Sequence, residues 1–236
     1  MKLMVTTYIM NIKRLEEDVF FDKCLEQVSP ERRKKVMSAK NRADQNRILG
    51  AGLVLSYVLK RCGVDGHNIP LQYGENGKPY LADMPWIHFN LSHSGDYAVA
   101  AFSNCEVGID IEHKGKNYRK IAERFFSERE AAAIQNCQSL EEEEGLFLRY
   151  WTLKESFLKV TGYGMRLPMD AFEFDLQETV RVNWKSDGQK YFFKEYEIGK
   201  QCDIMADENE RSKERYRIAV CAMEQDFAPQ LTWIMQ

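Results

Sequence analysis

The sequence predicts an α+β protein made of two similar halves, each a long helix followed by short antiparallel strands. Helical sequence runs from about Pro30 to Cys62 and again from about Glu142 to Val160, and short strands follow each stretch. Tyr97-Ala-Val-Ala-Ala-Phe and Tyr216-Arg-Ile-Ala-Val-Cys are similar closing strands, which points to duplication of a helix-plus-sheet unit.

The elements follow in order. Met1 to Tyr8 alternates like a strand. The first helix is closed by Gly63, a C-terminal cap residue. Gly74-Glu75-Asn76-Gly77-Lys78-Pro79 is turn chemistry, because Asn-Gly supplies positive φ and Pro79 has no amide to give a ladder. His88 to Ser92, Tyr97 to Ser103 and Val107 to Glu112 read as three strands between tight turns. Ser127-Glu128-Arg129-Glu130 fits a capping box and starts a helix. The acidic run Glu141 to Glu144 suits the N-terminal end of the next helix, which ends near Gly162. Strands are then expected around Ala171 to Leu176, Val180 to Trp184, Lys190 to Ile198 and Tyr216 to Cys221.

The chain has 236 residues, enough for one large domain or two smaller ones, with 44% apolar and 29% charged residues, as in a packed soluble protein. The longest apolar run, Tyr97 to Phe102, falls far short of the roughly 20 residues that span a bilayer, and the N-terminus lacks a signal-peptide pattern. A cytoplasmic protein is expected. Cys24, Cys62, Cys105, Cys137, Cys202 and Cys221 are scattered without a C-x-x-C pair, which predicts reduced thiols and neither a zinc site nor a disulfide framework. A net charge of −3 argues against nucleic acid as the partner, although local basic clusters can hold an anion.

Gly108-Ile109-Asp110-Ile111-Glu112 is the most informative pentapeptide. Period-two geometry sets Ile109 and Ile111 on one face and Asp110 and Glu112 together on the other, about 7 Å apart. An exposed strand face and a hard-cation site are the two readings, and Mg²⁺ takes one or two carboxylates with water and substrate phosphates. Trp151 to Lys159 forms the second cluster. Its helix carries a core stripe of Leu146, Tyr150, Leu153, Phe157 and Val160, while Glu155 and Lys159 face the other way amid Phe147, Trp151 and Leu158. That pair is either an ordinary i,i+4 Glu-to-Lys contact or part of a site. Between Glu31 and Arg47 lie Arg32, Arg33, Lys34, Lys35, Lys40, Arg42 and Arg47, a surface suited to solvent, nucleic acid or a phosphate-bearing ligand. Asn90-Leu91-Ser92-His93-Ser94-Gly95 ends a strand at a turn, where side chains and amides can converge on an anion, and no G-x-S-x-G elbow supports a serine hydrolase.

The order of these pieces, G-K-P, F-N-x-S-H-S-G, G-I-D-I-E, R-F-F-S and W-T-x-K-E-S-F-x-K, resembles the 4'-phosphopantetheinyl transferases of the surfactin-synthetase-activating (Sfp-type) class over nearly the whole chain. The resemblance implies two pseudo-symmetric halves, taken as residues 1–108 and 109–236, with coenzyme A in the cleft between them. It places Asp110, Glu112 and Glu155 around Mg²⁺ and Lys159 on the coenzyme A pyrophosphate, with Lys154 adding positive charge nearby. Lys78 of Gly77-Lys78-Pro79, Ser92 and His93 match positions that hold the nucleotide end, and Arg32 and Lys35 match partners of the 3'-phosphate. Ile48 departs from the pattern, since relatives often carry a hydroxyl residue there.

The activity so implied is transfer of phosphopantetheine from coenzyme A to a serine of an apo acyl or peptidyl carrier protein, with Glu155 as proton acceptor and release of adenosine 3',5'-bisphosphate. Phe125 and Phe126 are candidate anchors for the carrier, and Phe126 equally suits a hydrophobic staple ahead of Ser127. A monomer is expected, without nucleic acid or membrane partners. A Mg²⁺-dependent phosphohydrolase and a non-enzymatic nucleotide-binding module are the rival readings. The pathway served (fatty acid, polyketide, peptide or lysine synthesis) is open.

Overall fold

The computed structural model describes residues 4–65, 71–113, 118–184, 188–198 and 216–235. Cys202 and the opening residues Met1 to Leu3 lie outside the described residues. In chain order the elements are strand β1 (Thr6–Asn11), helices α1 (Asp18–Leu25), α2 (Pro30–Met37) and α3 (Arg42–Arg61), and strands β2 (Leu71–Tyr73), β3 (Pro79–Leu81), β4 (His88–Ser94), β5 (Tyr97–Ser103) and β6 (Val107–His113). Helices α4 (Tyr118–Phe125), α5 (Glu128–Gln135) and α6 (Leu140–Thr161) follow, then strands β7 (Glu173–Asp175), β8 (Arg181–Asn183), β9 (Phe192–Ile198), β10 (Tyr216–Ala222) and β11 (Thr232–Trp233).

The chain divides into two compact units, residues 1–105 with 227–236 and residues 106–226. A division after residue 108 would cut β6, and β11 belongs to the first unit because it pairs in parallel with β1, Tyr8 opposite Thr232. In the first unit the sheet order is β11-β1-β5-β4, and α3 packs on β5 and β4. In the second unit the order is β6-β10-β9, all antiparallel, and α6 packs on β6 and β10. The two similar sequences thus become β5 and β10, each an inner strand of its sheet beneath a long helix. Each unit has its own core, with Leu49, Leu55 and Phe89 in the first and Leu153, Phe157 and Phe172 in the second. Fully burying such a side chain contributes about 1.5–3 kcal/mol.

Local chemistry explains most boundaries. The single helix expected over Pro30 to Cys62 is two helices, because Ser38 turns its hydroxyl back onto the Lys35 carbonyl and Asn41, extended at φ −137°, caps a new helix by accepting from the Asp44 amide. Gly63 and Val64 donate to the carbonyls of Lys60 and Leu59, closing α3 as a Schellman motif. The β2–β3 hairpin turns where expected, with Gly77 at φ +77° and the Gly74 amide bonded to the Lys78 carbonyl. The capping box of α5 is present in both directions between Ser127 and Glu130. Among the described residues no helix is long and apolar enough to cross a membrane.

Candidate active site

The second unit's site begins with a close approach. Gly108, Asp110 and Glu112 share the face of β6 that meets α6, while Ile109 and Ile111 are fully buried on the other face. A Cβ on Gly108 would stand 2.1 Å from the Ser156 carbonyl oxygen and 2.6 Å from the Val160 amide, so glycine alone lets the helix lie this near. Lys159 therefore reaches β6 and donates to Asp110 Oδ1 at 2.7 Å and to the Ile109 carbonyl at 3.0 Å. Because Ser156 and Lys159 lie over Gly108 while Gly145 lies by Arg217, which is opposite Glu112, α6 runs antiparallel to β6. Glu155, one turn before Lys159, is thereby carried from the level of Asp110 toward Glu112.

The electrostatics match this placement. Burial pushes the Glu155 carboxyl above its usual range, the negative charge of Asp110 pushes it further, and Lys159 opposes both. Lys159 thus pairs with the strand carboxylate, not simply with Glu155 as i,i+4 spacing suggested. Arg217 stands directly across from Glu112 and 3.8 Å from Glu197. Among the described residues no three metal-ligating side chains are already gathered as a cage. Asp110 and Glu155 nonetheless stand close enough for the charge of one to raise the pKa of the other, a repulsion that a small divalent cation would relieve.

Lys154 corrects an expectation. Its ammonium is fully buried and donates to the Met169 carbonyl at 2.7 Å and the Phe172 carbonyl at 2.8 Å, and it pairs with Glu130 Oε2 at 2.8 Å. It lies 4.5 Å from the centre of the Phe172 ring, a favourable cation–π contact. Burial pushes its pKa down and Glu130 opposes that shift. An ammonium has three protons and all three are used inside the fold, so Lys154 adds no charge toward a ligand. Phe126 is likewise a core residue, stacked on Phe147 at 5.5 Å, whereas Phe125 is exposed with Arg124 over its ring. Phe126 therefore does not anchor a partner.

In the first unit, tertiary contacts sort the basic run. Arg42 is held by Asn46, the Leu15 carbonyl and the Phe21 ring, and Arg47 by Asp44. Arg32 lays its stem where a Gly52 side chain would be, and burial lowers its pKa, with Tyr73 of β2 opposing. Lys35 is lowered by burial and by the charge of Arg32. Two partly desolvated cations that repel each other make a place for an anion. Tyr73 pairs with Pro79, which brings Arg32 to the end of the hairpin that carries half-buried Lys78. Ser92 and exposed His93 lie near the end of β4, where His93 is close enough to help hold the Asp44 carboxyl below its usual range, after the larger effects of Arg47 and Asn41. Ile48 packs against the first core, so the departure noted in the sequence is an apolar contact.

Comparison with known proteins bears directly on this arrangement. Residues 106–221 match the family described as the 4'-phosphopantetheinyl transferase superfamily, and residues 16–105 match 4'-phosphopantetheinyl transferase, N-terminal. The 4'-phosphopantetheinyl transferase Sfp of Bacillus subtilis is 32% identical over 210 residues, 88% of this chain and 87% of that protein. The chain belongs to the 4'-phosphopantetheinyl transferase superfamily. The 4'-phosphopantetheinyl transferase ffp of Bacillus subtilis is 33% identical over 90% of each chain. That named gsp, from Aneurinibacillus migulanus, is 37% identical over 68% of this chain and 67% of its own. The superfamily match agrees with the order of motifs in the sequence, and the chain is a transferase of that class.

Sequence reasoning missed the Glu130–Lys154 pair, the Arg149–Glu195 pair with its 2.7 Å contact, and Arg217 beside Glu112. Only the Ser127 capping box hinted at Glu130.

Proposed function

We propose that this transferase moves phosphopantetheine from coenzyme A to a serine of an apo acyl or peptidyl carrier protein, using Asp110, Glu112 and Glu155 to hold Mg²⁺. The observation that carries the proposal is the juxtaposition of Asp110, Lys159 and a desolvated Glu155 on the shared face of β6 and α6. Bound Mg²⁺ would supply the positive charge that offsets the pyrophosphate oxygens.

The chain's own residues do the rest. Arg32 and Lys35 bind the 3'-phosphate, and Lys78, Ser92 and His93 hold the nucleotide end. Lys159 keeps contact with Asp110 and brings its positive charge to the phosphoryl oxygens. The serine oxygen attacks the phosphorus next to pantetheine, the bond from that phosphorus to the bridging oxygen breaks, and adenosine 3',5'-bisphosphate leaves. Glu155, on the same face of α6 as Lys159 and one turn before it, accepts the serine proton. The enzyme is expected to work as a monomer in the cytoplasm, with Phe125 as the exposed apolar contact for the carrier.

The test is the intact mass of an apo carrier domain after incubation with the protein, coenzyme A and Mg²⁺. A gain of one phosphopantetheine, lost with Asp110→Ala or EDTA, supports the proposal. Phosphate release without a modified carrier would favour a hydrolase, and coenzyme A binding indifferent to Mg²⁺ with no product would favour a binding module.

A further inference from the structure

We infer that Lys154 is a positioning residue of the transfer reaction, one that clamps α6 to α5 and to residues 169–172 and so fixes where the neighbouring Glu155 presents its carboxylate. The inference rests on the role of Glu155 given above.

Lys154 Nζ makes three contacts of 2.7–2.8 Å to two separate segments, Glu130 in the first turn of α5 and the Met169 and Phe172 carbonyls ahead of β7. The loop of contacts closes on itself, because Glu130 Oε1 also accepts from the Phe174 amide at 2.9 Å and Oε2 from the Ser127 amide at 3.2 Å. Gly108 sets how near α6 comes to β6 and Lys159 ties the helix to that strand, while Lys154 holds it to α5 and to residues 169–172. Successive residues are about 100° apart around a helix, so Lys154 and Glu155 point to different sides, and any rotation that draws Lys154 from its acceptors swings Glu155 by the same angle. A buried ammonium with three partners resists such rotation strongly, since each lost contact strands a polar group in the core. This explains why two lysines five residues apart on one helix differ so completely: Lys159 faces the reaction, and Lys154 holds the helix that carries it.

The experiment compares wild type, Lys154→Met and the double variant Lys154→Met/Glu130→Gln. The single variant leaves Glu130 buried without its cation and should lose much of its thermal stability. The double variant strands no charge, and glutamine keeps one oxygen, enough for the Ser127 amide or the Phe174 amide but not both, so its melting temperature should recover part of the way toward wild type. In that variant the inference predicts a kcat lower by about tenfold or more, an unchanged Kd for coenzyme A, and faster hydrogen exchange at the amides of residues 151–159. A Kd for coenzyme A raised about tenfold would mean that Lys154 touches the substrate, and wild-type kcat with wild-type exchange would mean that it serves the fold alone. Either result overturns the inference. Should wild type modify no carrier, the functional reading fails, while hydrogen exchange still decides the positioning claim.

Discussion

Lys159 reaches from α6 to β6 and holds its ammonium 2.7 Å from Asp110 Oδ1, with the Ile109 carbonyl as a second acceptor at 3.0 Å. The two residues lie on separate motifs of the sequence, and their contact places a cation, a strand carboxylate and, one turn away, Glu155 on one surface. Replacing Lys159 with methionine should lower kcat by about a hundredfold, because the donor aimed at the developing phosphoryl charge is removed. Steady-state kinetics with a carrier domain would check it, and a rate near wild type would remove Lys159 from the chemistry.

Glu155 predicts a pH dependence of stability. A carboxyl whose pKa is raised by folding binds its proton more tightly in the folded state, so stability falls as pH rises from the ordinary carboxylate range through the raised value. Glu155→Gln should therefore be more stable than wild type at neutral pH in EDTA, with the advantage shrinking as the pH falls from the raised value toward the usual range of glutamate and absent below it. Denaturation at a series of pH values reads this directly, and an advantage that grows toward acid pH would reverse the sign.

Gly108→Ala should damage both fold and activity. The new methyl would meet the Ser156 carbonyl oxygen at 2.1 Å, which backbone cannot yield without moving α6. Overpacking of this kind costs about 1–3 kcal/mol, and a shift of the helix displaces Glu155 and Lys159 together. Chemical denaturation and kcat, measured on the same sample, should both fall.

Thr7→Val offers the opposite outcome. Thr7 Oγ1 is fully buried and has no hydrogen-bond partner among the described residues. Valine removes the unsatisfied hydroxyl at nearly constant shape, so stability should rise by about 1 kcal/mol. A loss of stability would show that the hydroxyl is satisfied in solution.

What the sequence made legible was local. The period-two pattern of Gly108 to Glu112 put both carboxylates on one face, and the Ser127 and Gly77 signals marked a helix start and a turn where the structure has them. The break between α2 and α3 was also written locally, in Asn41 as a cap, but the basic run on either side has no glycine or proline to announce it. Other features depend on residues far apart in the chain. Nothing near Arg42 distinguishes it from Arg32, since its partners Leu15 and Phe21 are assembled by the fold, whereas the Asp44 that holds Arg47 lies only three residues before it. Lys154 and Lys159 belong to one motif, and only the carbonyls of Met169 and Phe172 and the carboxylate of Glu130 show that the first is internal.

The most direct measurement is a titration of the protein with Mn²⁺, a spectroscopic stand-in for Mg²⁺, followed by electron paramagnetic resonance in the presence of coenzyme A. The account predicts a single tight site in wild type that is lost or greatly weakened in Asp110→Ala and in Glu155→Ala, although both remain folded. Undiminished tight binding in both variants would contradict it, because the ion would then be held by residues other than those gathered on β6 and α6.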